Sequence, residues 1–482
     1  MIRFHTAASP LALALLLAGC AVGPTFKTPP APTAKDYTPA PVAPEIPATA
    51  TTPGQQLVNG GAVSSLWWTQ FGSEALNQLV AMALAKNTDI AVADATLRQA
   101  RSQASAEVGG LLPEVDAGYQ AERTRVSKAL SDPLADPGVY RYSLHTASLT
   151  VSYPLDLFGG VRRKVESARA TAEATAFRLQ AARLTVVSNV VVAAITEAAL
   201  RKKIAATEEG LKAAREALAL LRVQLSLGAI GKADVAAQVT VVAQAEAALP
   251  ALQKDLVAQQ TSLSILLGRD PHEPLPASVD LDTLTLPANL PVSLPSDLVR
   301  QRPDVRASEA ALHAASADVG VAIAARLPSI ALSGSVGGQA VAFGDMFRDG
   351  NPFWTLIGGI TQPLFHGGAL RAQQRSAEAA LDIAKAQYRA AVLGAFGDVA
   401  NALTALDADR RSLAAAETAA SSARENYGYL DVQLRLGQVG SLALLNATAA
   451  RIETANALVD ARVARIADVA ALYQALGGGT TR

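Results

Sequence analysis

Two very long stretches without proline constrain this chain more than any other feature. No proline occurs between Pro154 and Pro250, and none follows Pro363. From about Gly160 to Ser226 the sequence reads as continuous helix, and at 1.5 Å per residue it reaches roughly 100 Å. No globular core needs such a helix, whereas a coiled coil or a tunnel wall does. Each stretch has one strong break, and the two breaks match: Val223-Gln224-Leu225-Ser226-Leu227-Gly228-Ala229-Ile230-Gly231 and Val432-Gln433-Leu434-Arg435-Leu436-Gly437-Gln438-Val439-Gly440. A glycine pair can take the positive φ values that a helix interior forbids. Two helical hairpins are therefore expected, with Leu227, Gly228 and Gly231 at one tip and Leu436, Gly437 and Gly440 at the other.

The match extends beyond the tips. Asp89-Ile90-Ala91 through Leu112-Pro113 aligns without a gap on Asp304-Val305-Arg306 through Leu327-Pro328. Tyr153-Pro154-Leu155 answers Gln362-Pro363-Leu364, Gly159-Gly160 answers Gly367-Gly368, and Leu267-Gly268 answers Leu476-Gly477. The chain reads as a tandem duplication, with a first repeat at 66–271, a Pro-studded linker at 272–296 and a second repeat at 297–478. Order is expected to begin at Leu66-Trp67-Trp68, followed by one helix from Glu74 to about Val108, where Leu76, Leu79, Val80, Leu84, Ile90 and Leu97 recur at helical spacing.

At Pro113 the period changes from helical to two. Val115, Ala117, Tyr119 and Ala121 alternate with Glu114, Asp116, Gln120 and Glu122, and Ala147, Leu149, Val151 and Tyr153 alternate with Thr146, Ser148, Thr150 and Ser152. These are strands with one apolar and one polar face, joined by a loop holding Pro133 and Pro137. The second repeat answers with Ile330, Leu332, Gly334 and Val336, then Phe353 to Pro363. Strands of about ten residues suit a tilted bilayer crossing, and equally an amphipathic hairpin on a soluble core. Four strands cannot close a membrane barrel, because open edges in hydrocarbon leave backbone groups unsatisfied. Either the strands lie outside the membrane or several chains share one barrel, and the long arms likewise need lateral neighbours.

The single cysteine, Cys20, follows Arg3, an apolar run from Leu11 to Leu17, and Ala18-Gly19. That is a charged region, a short apolar region and small residues before a cleavage point. An ordinary secretory signal fits this pattern, and Leu17-Ala18-Gly19-Cys20 also resembles a bacterial lipobox. That resemblance implies removal of residues 1–19, diacylglycerol on Cys20 and acylation of the new N-terminus. Ala21 at the next position implies release to the outer membrane. Residues 20–65 carry prolines at a density that excludes helix and sheet interior, so a lipid-anchored, extended segment is expected.

Lys+Arg and Asp+Glu number 42 each among 482 residues, so no net charge draws the chain to nucleic acid. Half of the chain is hydrophobic but only 5% is aromatic, which suits helices packed along their length. The five histidines, His5, His145, His272, His313 and His366, have no second ligand at metal spacing. No nucleophile elbow, phosphate loop or paired-carboxylate setting is present. His366-Gly367-Gly368 reads as a strand-to-helix turn rather than an oxyanion loop. An enzyme is not expected, nor a cofactor beyond the lipid on Cys20.

Trp67-Trp68-x-x-Phe71, Arg302-Pro303-Asp304-Val305-Arg306-x-x-Glu309-Ala310, Arg326-Leu327-Pro328-x-Ile330, the two Leu-Gly-x-x-Gly tips and the lipobox together resemble the outer-membrane efflux protein family, and within it the NodT-type lipoproteins related to TolC. The resemblance covers nearly all of the mature chain. It implies an α+β, mostly α fold, in which a homotrimer forms a twelve-strand transmembrane β-barrel, four strands per chain, continued by a long periplasmic α-helical barrel. It also implies a periplasmic adaptor protein docking at the tips and an inner-membrane efflux transporter as further partner. In this family, polar or acidic residues just past each tip form a narrow entrance. By resemblance, Leu442 and Asn446 form rings across the axis and Asp234 belongs to a network between adjacent hairpins. Ala443 and Asn446 stand where the family often has acidic residues, which implies a less anionic ring. The implied role is a passive exit duct for drugs or other small molecules. A duct for type I protein secretion keeps the same fold, and a non-pore periplasmic coiled-coil scaffold is the remaining reading.

Overall fold

The computed structural model describes residues 21–479 except 31, 35, 40–42, 62 and 128–140. The expected leader at 1–19, Cys20 and the expected loop with Pro133 and Pro137 lie outside the described residues. The chain divides into two compact units, one of Met1–Thr28, Leu97–Thr175 and Ser308–Tyr388, the other of Pro29–Thr96, Ala176–Ala307 and Arg389–Arg482.

In the first unit the four alternating segments form one antiparallel sheet in the order β3-β4-β6-β7: β3 (Glu114–Arg125), β4 (Arg141–Leu155), β6 (Ser329–Ala340) and β7 (Pro352–Thr361). Register decides what each face presents. Val115 pairs with Val151, Val151 with Gly334 and Gly334 with Leu356, while Ala117, Leu149, Val336 and Trp354 make the next row. Side chains opposite one another share a face, so one face collects Val115, Tyr119, Leu149, Val151, Leu332, Val336, Trp354, Leu356 and Ile360. All of these are exposed, with Trp354 at 78% and Leu356 and Ile360 at 72%. The opposite face carries Glu114, Asp116, Ser148, Thr150, Ser152, Ser333 and Ser335, with Ile357 as its exposed apolar exception. Strands β3 and β7 are the sheet's edges.

The beginning of the Pro-rich segment that precedes Leu66, a strap, lies on this same unit. Val22 N donates to Phe158 O at 3.0 Å and Arg163 Nε to Val22 O at 3.1 Å. Phe26 stacks on His313 with centroids 4.4 Å apart, and His313 Nε2 lies 2.9 Å from Glu166 Oε1.

In the second unit the sequence expectation needs two revisions. The helix expected from Glu74 to Val108 is two helices, α1 (Glu74–Lys86) and α2 (Thr88–Gly109). Asn87, at φ −62° and ψ 133°, ends the first and caps the second, its Oδ1 accepting from Asp89 N at 2.9 Å and Ile90 N at 3.1 Å. Its Nδ2 donates to Leu266 O at 2.9 Å, a carbonyl left over at the end of a distant helix. Order also begins before Leu66. The Pro-rich segment contributes β1 (Glu45–Ile46) and β2 (Gln55–Asn59), which join β5 (Asn289–Val292) from the linker in a three-stranded sheet. Strand β5 is an edge, where Pro291 removes no needed donor. Side chains hold this strap in place: Tyr37 Oη donates to Ser293 O at 2.8 Å and Gln55 Nε2 to Pro287 O at 2.7 Å. Buried Glu417 accepts from Thr49 Oγ1, Ala50 N, Thr51 N and Thr51 Oγ1.

The long helices follow the proline pattern. They are α3 (Gly160–Ser226) and α4 (Lys232–Leu266), then, after the short α5 (Pro295–Gln301) and α6 (Pro303–Ala324), α7 (Ala369–Arg435) and α8 (Ser441–Ala475). Helices α3 and α7 have 67 residues each, and α4 and α8 have 35 each. The apolar centre of α3 faces inward, with Val187, Val190, Val191, Ala194 and Ile195 buried. Pro250 lies inside α4, but it and Glu246 four residues earlier are exposed, so water can satisfy the carbonyl that loses its partner.

Burial alone would raise the Glu417 pKa, and the hydrogen bonds from Thr51, Thr49 and the Ala50 and Thr51 amides outweigh it, holding the carboxyl below its usual range. A depressed native pKa gives stability that is present above the unfolded pKa and lost as pH falls through the native one. Strap amides in 49–59 are therefore expected to lose hydrogen-exchange protection below the ordinary carboxylate range. Glu417→Gln should loosen them at neutral pH by about 1–3 kcal/mol; equal protection in the two proteins would refute the clamp.

Candidate functional site

Both hairpin turns lie in the second unit and are built alike. At the first, Gly228 has φ +69°, Gly228 N donates to Leu225 O at 3.0 Å and Ala229 N to Gln224 O at 2.9 Å. At the second, Gly437 has φ +71°, Gly437 N donates to Leu434 O at 3.0 Å and Gln438 N to Gln433 O at 2.9 Å. This is the Schellman closure of a helix by a left-handed residue, which favours glycine. The expectation that both glycines of each pair supply positive φ is revised. Gly231 (φ −86°, ψ 161°) and Gly440 (φ −80°, ψ 159°) are extended N-caps of α4 and α8. At Gly440 no atom comes within 4 Å of where a Cβ would sit, so a side chain has room there.

The two helix starts differ at the third position past the cap. Asp234 is half-buried, and its Oδ2 accepts from Gly231 N at 3.1 Å, placing a carboxylate at the positive end of α4. Ala443 occupies the corresponding place in α8, so that helix start lacks the anion. Leu442 and Asn446 are both exposed and stand four residues apart, on one face of the first turns of α8. Their neighbours point the other way. Leu444 packs with Ala217 and Leu434, while Leu445 packs against the cluster of Leu211, Ala214, Leu218, Val241, Val242 and Ala245. The turns thus rest on a core shared by both hairpins, with Leu442 and Asn446 left outside it. Val223, Leu227, Val432 and Leu436 are also exposed, giving the tips an apolar surface.

Farther along the arms, sequence reading missed a close approach. A Cβ on Gly210 of α3 would fall 2.3 Å from Ile452 Cγ1 of α8. Beside it Glu209 pairs with Arg451, whose guanidinium lies 4.8 Å from the Tyr427 ring centroid. Only the partner helix reveals why that residue is glycine.

The motifs that stood out in the sequence are structural fasteners. Trp67 stacks on Tyr473 at 5.3 Å, and Tyr473 Oη donates to Gln70 Oε1 at 2.6 Å. Buried Arg302 reaches Asp304 Oδ2 at 2.6 Å, Asp398 Oδ2 at 2.9 Å and Ala475 O at 3.0 Å. Arg326 pairs with Gln374, and Gln362 Nε2 donates to Arg326 O at 3.2 Å. Among the described residues no group of three or more His, Cys, Asp or Glu could hold a metal ion.

The family model described as outer membrane efflux protein matches residues 79–269 and 294–478. The pyoverdine export outer membrane protein OpmQ of Pseudomonas putida is 31% identical over 415 residues, covering 86% of this chain and 88% of its own length. The probable efflux pump outer membrane protein TtgC of Pseudomonas putida is 31% identical over 467 residues, covering 97% of this chain and 94% of its own. Among solved structures, the outer-membrane channel OprN superposes with a TM-score of 0.83 at 29% identity, over 95% of this chain and 99% of that one.

The two glycines of a tip should respond differently to a methyl group. Gly437→Ala forces an L-residue into the left-handed region and should destabilise the purified protein by about 1–2 kcal/mol in chemical unfolding. Gly440→Ala should leave its stability nearly unchanged, and equal losses would contradict the assigned conformations.

Proposed function

Because the chain belongs to the outer membrane efflux protein family, we propose that it is the outer-membrane exit duct of a tripartite efflux pump, passively conducting drugs or other small molecules received from a periplasmic adaptor and an inner-membrane transporter. The observation that carries this reading is the four-stranded sheet with one continuous exposed apolar face, one polar face and two unpaired edges. An apolar face of that extent suits lipid, and a polar face suits a water-filled lumen. Edge strands β3 and β7 need neighbours in hydrocarbon, and three copies of the chain would supply twelve strands and close the barrel. Phe343 and Phe347 lie in the β6–β7 connection and Trp354 near the start of β7, all exposed, and the Tyr119 ring reaches Phe343 at 5.6 Å, so aromatics gather at the loop ends of β6 and β7 as interfacial side chains do in outer-membrane barrels.

The paired lengths of the long helices support the tandem duplication, and through it a periplasmic tunnel of twelve helical strands in the trimer. The apolar hairpin turns, around Leu227, Gly228, Gly231, Leu436, Gly437 and Gly440, are the adaptor contact. Leu442 and Asn446, exposed beside a core that holds the rest of the turn, form the iris-like gate, with Asp234 steadying the start of the neighbouring helix. Lipid on Cys20 anchors the strap, whose first residues are held by Arg163 and His313. No step of this function needs a catalytic group or a cofactor.

Two outcomes test the reading. Leu356→Arg, on the apolar face, should cost about 2–4 kcal/mol near the bilayer midplane and deplete the protein from the outer-membrane fraction, whereas Ser335→Arg on the polar face should not. Replacing Leu442 and Asn446 by alanine should raise single-channel conductance in planar bilayers; unchanged conductance would remove both from the gate.

A further inference from the structure

Away from the hairpin turns, the second unit holds a cavity of about 370 Å³ whose walls include Thr52 of the strap, Leu281 and Asp282 of the linker, Leu413 of α7, and Arg462 and Arg465 of α8. Arg465 is the most deeply buried cation among the described residues, at 2% exposure. One end of its guanidinium is occupied, Nη2 donating to Gln55 Oε1, but Nη1 has no hydrogen-bond partner among the described residues. A buried guanidinium nitrogen left in this way is expensive, because burial opposes its charge without a compensating acceptor. Arg462, one turn earlier on the same helix, reaches Asp282 Oδ1 at 3.2 Å.

The charges around the cavity bound what it can take. Arg462, Arg465 and Lys202 are cations, and Asp282 is an anion held ionised by the hydrogen bond from Lys202. Behind Arg465, Asp409 and Asp468 face each other, and burial together with Asp409 pushes the Asp468 carboxyl up to about 7, so near neutrality the pair falls short of two full negative charges. Asp407 and Arg410, which also act on Arg465, cancel. Three cations against Asp282 and the incompletely charged pair of Asp409 and Asp468 leave a small positive surplus. A small monoanion matches it, and a dianion overshoots it. The apolar walls Leu281 and Leu413 favour a hydrocarbon body on that anion. A cavity of ~150 Å³ already accepts benzene, so a ring bearing one carboxylate fits here.

We propose that this cavity is a binding site for a small organic carboxylate with a compact apolar body, its carboxylate received by Arg465 Nη1 and Arg462. Occupancy would tie strap, linker and α8 together. The assignment stands independently of what the duct conducts.

Calorimetric titration of the purified full-length chain in a non-ionic detergent tests it, with benzoate, the isosteric neutral benzamide and inorganic phosphate as probes. Saturable benzoate binding is expected, with benzamide and phosphate each about ten-fold weaker or more, the scale of one lost charge-assisted contact. Arg465→Gln would disturb a buried network, so Arg462→Gln carries the test and should weaken benzoate by a similar factor. Thr52→Glu, which tethers a carboxylate at the cavity wall, should abolish benzoate binding while raising the melting temperature. Absence of saturable benzoate binding, equal binding of benzamide, tighter binding of phosphate, or unchanged affinity in Arg462→Gln would each overturn the proposal.

Discussion

The backbone groups along the free edges of β3 and β7 are the constraint on which the rest of this structure depends. Within the chain each edge strand pairs on one side only. In water such edges can be hydrated, but the same sheet presents an uninterrupted apolar face, which water opposes and lipid accepts. Once that face meets hydrocarbon, every unpaired N–H and C=O costs several kcal/mol. The proposed assembly relieves both: more copies of the same sheet, joined edge to edge into a closed surface with the apolar face outward. Such closure would make a duct, because the face turned inward would be the one carrying Glu114, Asp116 and the rows of Ser and Thr.

The second unit solves a different problem, that of ending very long helices. Leu266 O and Ala475 O are the leftover carbonyls at the ends of α4 and α8, and each is met by a side chain from a break between two other helices. Asn87 serves the first and Arg302 the second. The two halves of the chain thus make the same closure with different chemistry. Asn87 is a neutral cap sufficient for one carbonyl and one helix start. Arg302 spreads its donors over Ala475, Asp304 and Asp398, and Pro303 starts the helix beside it. This gives the Arg-Pro-Asp stretch a structural role: it fastens two helix ends.

What could be read from the sequence was whatever local rules decide. The absence of proline set the extent of α3, period-two alternation set the four strands, and Gly228 and Gly437 marked the turns because left-handed backbone asks for glycine wherever it occurs. What could not be read depends on partners remote in the chain. Asn87 interrupts an apolar periodicity that runs through it, and its bond to Leu266 O has no local signature. The strands at 45–59 are too short and too rich in neighbouring proline to register, and they are held by Glu417, Pro287 and Ser293 from far along the chain. At the site, Leu442 and Asn446 stand out by resemblance to the family, and the four-residue spacing that puts them on one exposed face is a helical property once α8 is known. The glycine at 210, fitted against Ile452, was not legible, since only the packed helix pair explains it.

The central claim is that the edges of this sheet are completed by other copies of the same chain, and disulfide scanning across those edges tests it most directly. Single cysteines placed along β3 and along β7, combined in pairs in the full-length protein, should after mild oxidation of membranes yield covalent dimers and trimers for the pairs in register, with nothing larger. Chains that stay monomeric for every pair, or a ladder continuing past the trimer, would contradict a closed three-chain barrel.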